Sequence, residues 1–144
     1  MGRGWKIEDR GWKTMAVIRS FRDLKVYQAA RDEARKVFVA TRAFPSEEKF
    51  SLTDQIRRSS RAVNAMIAEA WARRRYQAAF VNKINEALGE AMETQTWLDH
   101  ALDCGYLNAV KHREFDAAWQ SIGAMLQKMM DRADTFCPKP ETRA

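Results

Sequence analysis

The sequence predicts an all-α protein, an antiparallel four-helix bundle whose helices run up, down, up and down. Apolar residues recur at spacings of three and four in four separate segments, which is the periodicity of a helix with one buried face. The chain holds only 6 Gly and 3 Pro, too few for a β protein with many tight turns. The connections between the segments are short, and short connections make consecutive helices antiparallel neighbours.

The first helix is predicted over about residues 22–43, and Pro45 follows it, because proline lacks the backbone N–H that a continuing helix needs. Ser51 or Thr53 can cap the second helix, since a side-chain oxygen can accept a hydrogen bond from a free backbone N–H. The apolar face of the first helix carries Leu24, Tyr27, Ala30, Ala34, Val37, Phe38 and Thr41. That of the second carries Ile56, Val63, Ile67 and Ala70.

No glycine or proline separates the second helix from the third, so helix propensity alone would allow a single helix of about 50 residues, far above the usual length. The apolar face decides against a single helix, because it stops at residue 70 and resumes at residue 80. Arg73, Arg74 and Arg75 lie in this interval. A turn is therefore predicted around residues 72–76.

The third helix ends before Gly105, where a glycine is expected just past a helix C-terminus. Its apolar face carries Phe80, Ile84, Ala87, Leu88, Ala91, Gln95, Leu98 and Leu102. The face of the fourth carries Phe115, Ala118, Trp119, Ile122, Leu126, Met129 and Ala133. The bundle is thus placed at residues 21–136, between a loosely ordered leader over 1–20 and a C-terminal tail over 137–144.

The net charge of +6 is unevenly distributed along the chain. Residues 54–75 carry a net charge of +4, whereas residues 76–110 carry −4. Such an asymmetry indicates a basic face or two segments that attract each other. Arginine forks match phosphate oxygens and an aromatic ring can stack on a base. The candidate nucleic-acid-binding residues are therefore Arg57, Arg58, Arg61, Arg73, Arg74, Arg75 and Tyr76.

The alternative is that these arginines form ion pairs with acids of the third helix, within or between subunits. Glu69 and Glu93 are predicted to be structural acids of this kind, held by arginines. In the same alternative Tyr76 plugs the end of the bundle.

The sequence gives no reason to expect an enzyme, a metal site or a cofactor. Glu69 and Glu93 have no His, Ser or Cys partner at a spacing typical of catalysis. His100 and Cys104 share a helix face, but a zinc site normally needs three or four ligands. No apolar run approaches the roughly 20 residues that span a bilayer. Because no secretory signal is recognisable either, a cytoplasmic location is expected.

Four stretches in the same order resemble the bacterial four-helix-bundle proteins related to the 23S rRNA intervening-sequence protein. This family includes the accessory variability determinant of diversity-generating retroelements. The resemblance covers about residues 21–107. The stretches are FRDLKVYQAAR, FPSEEKFSLTDQIRRSSRAV, IAEAWARRRYQAAFVNKI and ETQTWLDHALDCGYL. The family pattern often reads NIAEG where this chain has Met66 to Ala70, so its Asn and Gly are absent here while Glu69 is retained.

The resemblance implies a ring-shaped homo-oligomer, typically a homopentamer, built from cytosolic subunits with no known catalytic activity. It also implies a basic surface for nucleic acid, with RNA favoured over DNA. Apolar residues outside the main helix faces independently favour a subunit interface. These residues are Val81, Met92, Met125 and Met130.

The predicted function is a non-enzymatic oligomeric scaffold or adaptor whose arginine-rich surface binds RNA. The alternative is a protein–protein interaction scaffold, with an unidentified protein partner, in which the arginines serve only ion pairing and bind no nucleic acid.

Overall fold

The structure is a computed structural model that describes residues 5–8 and 15–139. Four long helices form its body, and a single turn of helix, α5 (Ala133–Phe136), follows the last of them. The long helices are α1 (Lys25–Thr41), α2 (Leu52–Ala72), α3 (Gln77–Asp103) and α4 (Ala109–Asp131). The prediction of an all-α helical bundle is confirmed. None of these helices is both long and apolar enough to span a membrane.

Two short strands that the sequence analysis did not predict precede the helices. Strand β1 (Trp5–Glu8) pairs antiparallel with β2 (Met15–Ile18). Ile18, at the end of β2, is buried among the core residues, which joins the hairpin to the bundle. Residues 1–4 and 9–14 of the predicted leader, and 140–144 of the predicted tail, lie outside the described residues.

Pairs of contacts show that α2 and α3 run antiparallel. Arg58, in the first half of α2, contacts Glu93, in the second half of α3. Glu69, near the end of α2, lies 3.4 Å from Nζ of Lys83, in the first half of α3.

The same pattern relates α1 to α2. Asn64 Nδ2 donates to the carbonyl of Tyr27 at 2.9 Å, whereas Arg57 Nε donates to Thr41 Oγ1 at 2.8 Å. Because α4 packs against both α3 and α1, the four helices close around one core.

The predicted apolar faces form this core. All four predicted face residues of α2 are fully buried, and α3 and α4 supply most of the other large buried side chains, although Leu88, Gln95 and Leu102 of the predicted α3 face are only partly buried. On α1 the face is less complete, since Tyr27, Ala34 and Phe38 are only partly buried. These three line a groove between α1 and α2. The largest fully buried side chains are Trp119, Phe80, Ile56, Ile67, Ile84, Leu98, Ile122 and Leu126.

The predicted turn between α2 and α3 is confirmed, because α2 ends at Ala72 and α3 begins at Gln77. Gly105 is also where the prediction put it, just beyond α3, with a φ of +76°. Its N–H donates to the Leu102 carbonyl and the N–H of Tyr106 donates to that of Ala101, at 3.0 and 2.8 Å. This pair of bonds is a Schellman motif, which satisfies the last carbonyls of the helix.

The predicted cap of α2 is wrong. Ser51 occupies the N-cap position, but no N–H of α2 donates to its side chain. Its hydroxyl instead donates to Glu48 Oε1 at 2.6 Å, in the turn before the helix. Thr53 lies inside the first turn, and its buried hydroxyl has no hydrogen-bond partner among the described residues.

Candidate nucleic-acid interface

The arginines predicted from the sequence do not form one patch. Arg57 and Arg61 lie on the side of α2 that faces α1, where both approach the ring of Phe38. Arg58 lies on the side that faces α3. Arg73 follows Arg61 by twelve residues, a distance of about 18 Å along a helix axis. The α2–α3 turn with its three arginines is therefore a separate place on the surface.

Arg58 is engaged with two acids of α3. Its guanidinium contacts Glu93 and lies 3.4 Å from Glu90 Oε1. Burial raises the pKa of the Glu90 carboxyl and the nearby Glu93 raises it further, while Arg58 acts in the opposite direction. Glu93 also accepts a hydrogen bond from Trp97 Nε1 at 3.3 Å. One guanidinium thus serves two crowded carboxylates, which is the geometry of structural ion pairing.

Glu69 lies between two cations at the far end of α2. Its Oε1 is 3.4 Å from Lys83 Nζ and 3.9 Å from Arg73 Nη2. The closer partner is the lysine, which the sequence analysis did not name. Because Glu69 is 45% exposed, solvent screens both interactions and they contribute little stability.

Arg74 is part of the bundle's packing. Its guanidinium lies over the ring of Trp71, 3.5 Å from the centroid, and its Nε donates to the Trp71 carbonyl at 2.8 Å. Burial lowers the pKa of Arg74, which reflects removal of this cation from water. The contact fixes the corner between α2 and α3.

Tyr76 does not plug the end of the bundle, so that prediction is wrong. Its side chain is 62% exposed, and the guanidinium of Arg75 lies 5.9 Å from its ring centroid. Phe136 of α5 stacks on Phe80 at 5.9 Å instead. An aromatic residue from the C-terminal region therefore covers the position that the sequence analysis gave to Tyr76.

A groove between α1 and α2 gathers arginines and aromatic rings. We call it the Phe38 groove; it has a volume of about 370 Å³. Its lining residues are Tyr27, Arg31, Ala34, Arg35, Phe38, Arg61 and Asn64. Three guanidiniums surround the ring of Phe38, those of Arg42, Arg57 and Arg61, at 5.2, 4.7 and 5.7 Å from its centroid. Arg42 and Arg57 are not lining residues, but they meet the groove at this ring and are counted with it.

The groove is cationic because most of its arginines have no internal counter-ion. Among the described residues, no carboxylate lies within ion-pair distance of Arg31, Arg42, Arg57 or Arg61. Arg35 differs, since it contacts Asp32. Arg58 and Arg73 differ in the same way, with partners at Glu93 and Glu69.

The α1 members of this groove were missed by the sequence analysis. A usable signal was present, because Arg31 and Arg42 are eleven residues apart and Tyr27 and Phe38 have the same separation. Eleven residues correspond to about three helical turns, so each pair lies on one face of α1. The sequence analysis assigned both rings to the core face of α1.

Asp99, His112 and Asp116 meet where α3 packs on α4. His112 Nε2 lies 2.8 Å from Asp99 Oδ1, and one ligand atom of each of the three residues lies within 4.8 Å of the others. Gln95 Nε2 donates to Asp116 Oδ1 at 3.1 Å. These are the residues, within the described ranges, whose atoms could share a metal ion. They do not include His100 and Cys104, the pair that the sequence analysis weighed and set aside as too few ligands for a zinc site.

By its fold this is a helical-bundle protein. It has a cationic side on α1 and α2, and ion pairs join α2 to α3. The family model of the 23S rRNA-intervening sequence protein matches residues 22–128. The chain belongs to this family, and the resemblance noted from its sequence is confirmed.

One solved structure extends the comparison. The chain is similar to the crystal structure of a protein with unknown function from the S23 ribosomal protein family of Bacteroides thetaiotaomicron. The two chains are 25% identical with a TM-score of 0.66, and the match covers 74% of this chain and 95% of the other. No curated protein matches the chain.

Proposed function

We propose that this protein is a non-enzymatic, cytoplasmic, oligomeric scaffold that binds RNA through an arginine-rich surface. The observation that carries the proposal is the set of arginines beside Phe38 that lack carboxylate partners in the described part of the chain. Cationic surfaces without internal counter-ions attract polyanions, and guanidinium forks match phosphate groups. The net charge of +6 acts in the same direction.

A short exposed strip in the first half of α3 supports assembly of several copies. Its residues Ala78, Asn82 and Asn85 carry no charge, in contrast to the neighbouring Lys83 and Glu86. Depletion of charge is typical of the centre of a subunit interface. Of the four apolar residues considered from the sequence, Val81, Met125 and Met130 pack partly against the core, whereas Met92 remains 56% exposed. A homopentameric ring is the form that the family resemblance implies.

A second candidate function is a protein–protein interaction scaffold that binds no nucleic acid. The ion pairs of Arg58 and Arg73 with acids of the same chain support it, since these arginines are already neutralised. In this case the remaining arginines would meet an acidic protein surface or a second copy.

Binding of a structured RNA by the full-length protein tests the main proposal. We expect binding at about 50 mM salt that weakens steeply toward 200 mM, because phosphate contacts release counter-ions. An absence of binding to RNA at low ionic strength would contradict the proposal and leave the second candidate.

The mass of the full-length protein by light scattering, with and without RNA, tests the assembly. We expect a defined oligomer, about five times the 16.7 kDa of one chain if the ring is a pentamer. A monomer at every concentration would contradict the oligomeric part of the proposal.

A further inference from the structure

We propose that the Phe38 groove is the RNA site and that it takes a single-stranded segment rather than a duplex. This inference rests on the proposed function and adds to it the location of the site and the form of the ligand. Three properties of the groove carry it: the crowding of its cations, the fixed orientation of one of them, and the aromatic rings that lie between them.

The crowding of cations makes the groove a site for anions. Arg42, Arg57 and Arg61 all lie within 6 Å of one ring centroid. The face of an aromatic ring attracts a cation, but this attraction only partly compensates the repulsion among three guanidiniums. Arg31, on the same groove, adds a fourth positive charge. A phosphate placed among these groups would remove the repulsion that the free protein tolerates.

Arg57 is held in place before any ligand arrives. Its Nε donates to Thr41 Oγ1 at 2.8 Å, and this buried hydroxyl donates in turn to the Phe38 carbonyl at 3.0 Å. No described residue accepts from the terminal nitrogens of Arg57, so these remain available to an acceptor in the groove. A donor that is already oriented loses less entropy on binding, which favours affinity.

The aromatic rings distinguish a single strand from a duplex. Tyr27 and Phe38 line the groove between the arginines, and both are partly exposed. A cationic groove with aromatic rings is the arrangement that binds single strands, in which phosphates meet cations and bases pack on rings. A duplex keeps its bases stacked inside, so they cannot pack on the rings of the groove. Arg31 of α1 and Arg42, which directly follows α1, are about 16 Å apart along the helix axis, enough for a few nucleotides.

A pair of double variants tests the site. Binding of a labelled single-stranded RNA of about 12 nucleotides would be measured by fluorescence anisotropy with the full-length protein. Arg57→Gln with Arg61→Gln removes two charges from the groove. Arg58→Gln with Arg73→Gln removes the same charge from arginines that are paired with Glu93 and Glu69.

We expect the groove variant to bind about 100-fold more weakly, at roughly tenfold for each charged hydrogen-bonding group lost. The slope of log affinity against log salt should fall by about 1.4, since each lost contact to a single strand contributes about 0.7. The control variant should bind within about threefold of the wild type. Circular dichroism melts of both variants verify that they fold.

Three results would overturn the inference while the proposed function stands. The first is an equal loss of affinity in both double variants, which would mean that RNA responds to net charge alone. The second is a duplex of the same sequence bound as tightly as the single strand. The third is a groove variant that binds RNA like the wild type. A wild type that binds no RNA would remove the proposed function as well, and tighter binding of polyglutamate than of RNA would assign the groove to an acidic protein.

Cross-linking of the unmodified protein supplies a measurement that does not depend on the folding of variants. With single-stranded RNA that carries 4-thiouridine, we expect cross-links on α1, at Tyr27 and Phe38. Cross-links confined to α3 and α4 would overturn the assignment.

Discussion

Ser59 of α2 and Thr94 of α3 share a hydrogen bond of 2.8 Å, and both side chains are fully buried. Each hydroxyl can also donate to a carbonyl of its own helix, Ser59 to Ile56 at 3.4 Å and Thr94 to Glu90 at 2.9 Å, so either can be the donor between the helices. An axial slip of α2 against α3 would leave these hydroxyls without each other in low dielectric. The pair therefore fixes how α2 and α3 are aligned, next to the ion pair of Arg58.

Replacing only one residue of this pair should lower the free energy of unfolding by more than half of what the double replacement costs. We expect Thr94→Val to lower the free energy of unfolding by about 1 to 3 kcal/mol, because the Ser59 hydroxyl keeps only the long bond of 3.4 Å to the Ile56 carbonyl. The double variant with Ser59→Ala should lose less than the sum of the single losses, since no orphaned hydroxyl remains. Urea unfolding of all four proteins gives this coupling, and strictly additive losses would contradict it.

Thr53→Val makes the same chemical change at a hydroxyl that has no partner in the described part of the chain. We expect stability to stay constant or to rise by up to about 1 kcal/mol, because the buried oxygen gains nothing from the fold. Thr94→Val is the matched control, in which the hydroxyl is paired. A loss at residue 53 equal to that at residue 94 would show that Thr53 does act as a cap.

Gly105→Ala should lower the free energy of unfolding by about 1 to 2 kcal/mol, because an alanine at a φ of +76° brings Cβ toward its own carbonyl. Gly89→Ala is the comparison, at a helical position where stability should rise by about 0.5 to 1 kcal/mol. At both positions an added Cβ meets no atom within 4 Å, so the difference reports the backbone alone. Thermal melts measure the stability of both variants. Equal changes at the two positions would contradict the view that the positive φ of Gly105 makes its replacement destabilising.

Tyr106 links the α3–α4 connection to the turn before α2, since its hydroxyl donates to Glu48 Oε2 at 2.8 Å. This bond raises the pKa of Tyr106 from 10.0 to about 12. The folded pKa lies above the unfolded one, so the contribution to stability is complete below pH 10 and is lost between pH 10 and about 12. The urea midpoint of the wild type should therefore fall more steeply over this range than that of Tyr106→Phe. Parallel pH profiles would contradict this.

The same bond also acts on Glu48, at the other end of the pH scale. The pKa of the Glu48 carboxyl is lowered, because the hydroxyls of Ser51 and Tyr106 donate to its charged form. The bond from Ser51 has the larger effect and that from Tyr106 the second. A lowered folded pKa stabilises the fold above the unfolded value of 4.5, and this contribution disappears as the pH falls through the folded value. In the same experiment, the urea midpoint of Tyr106→Phe should therefore fall less than that of the wild type as the pH drops below 4.5.

The sequence by itself determined the four helices, their buried faces, the turn after Ala72 and the glycine that ends α3. Each of these follows from local rules, namely the 3.6-residue period of a helix, the gap in the apolar face between residues 70 and 80, and the freedom of glycine at positive φ. The family could also be recognised in this way, because its motifs lie in consecutive stretches of the chain.

The tertiary structure alone decided what each arginine does. Arg57 and Arg58 are neighbours in the chain, but a step of about 100° per residue turns one toward α1 and the other toward α3. Across from Arg58 lie the carboxylates of Glu90 and Glu93, whereas across from Arg57 lie Thr41 and the ring of Phe38. Spacing along one helix cannot show which side chains a neighbouring helix presents, so only packing separated the paired arginines from those that remain open to a ligand.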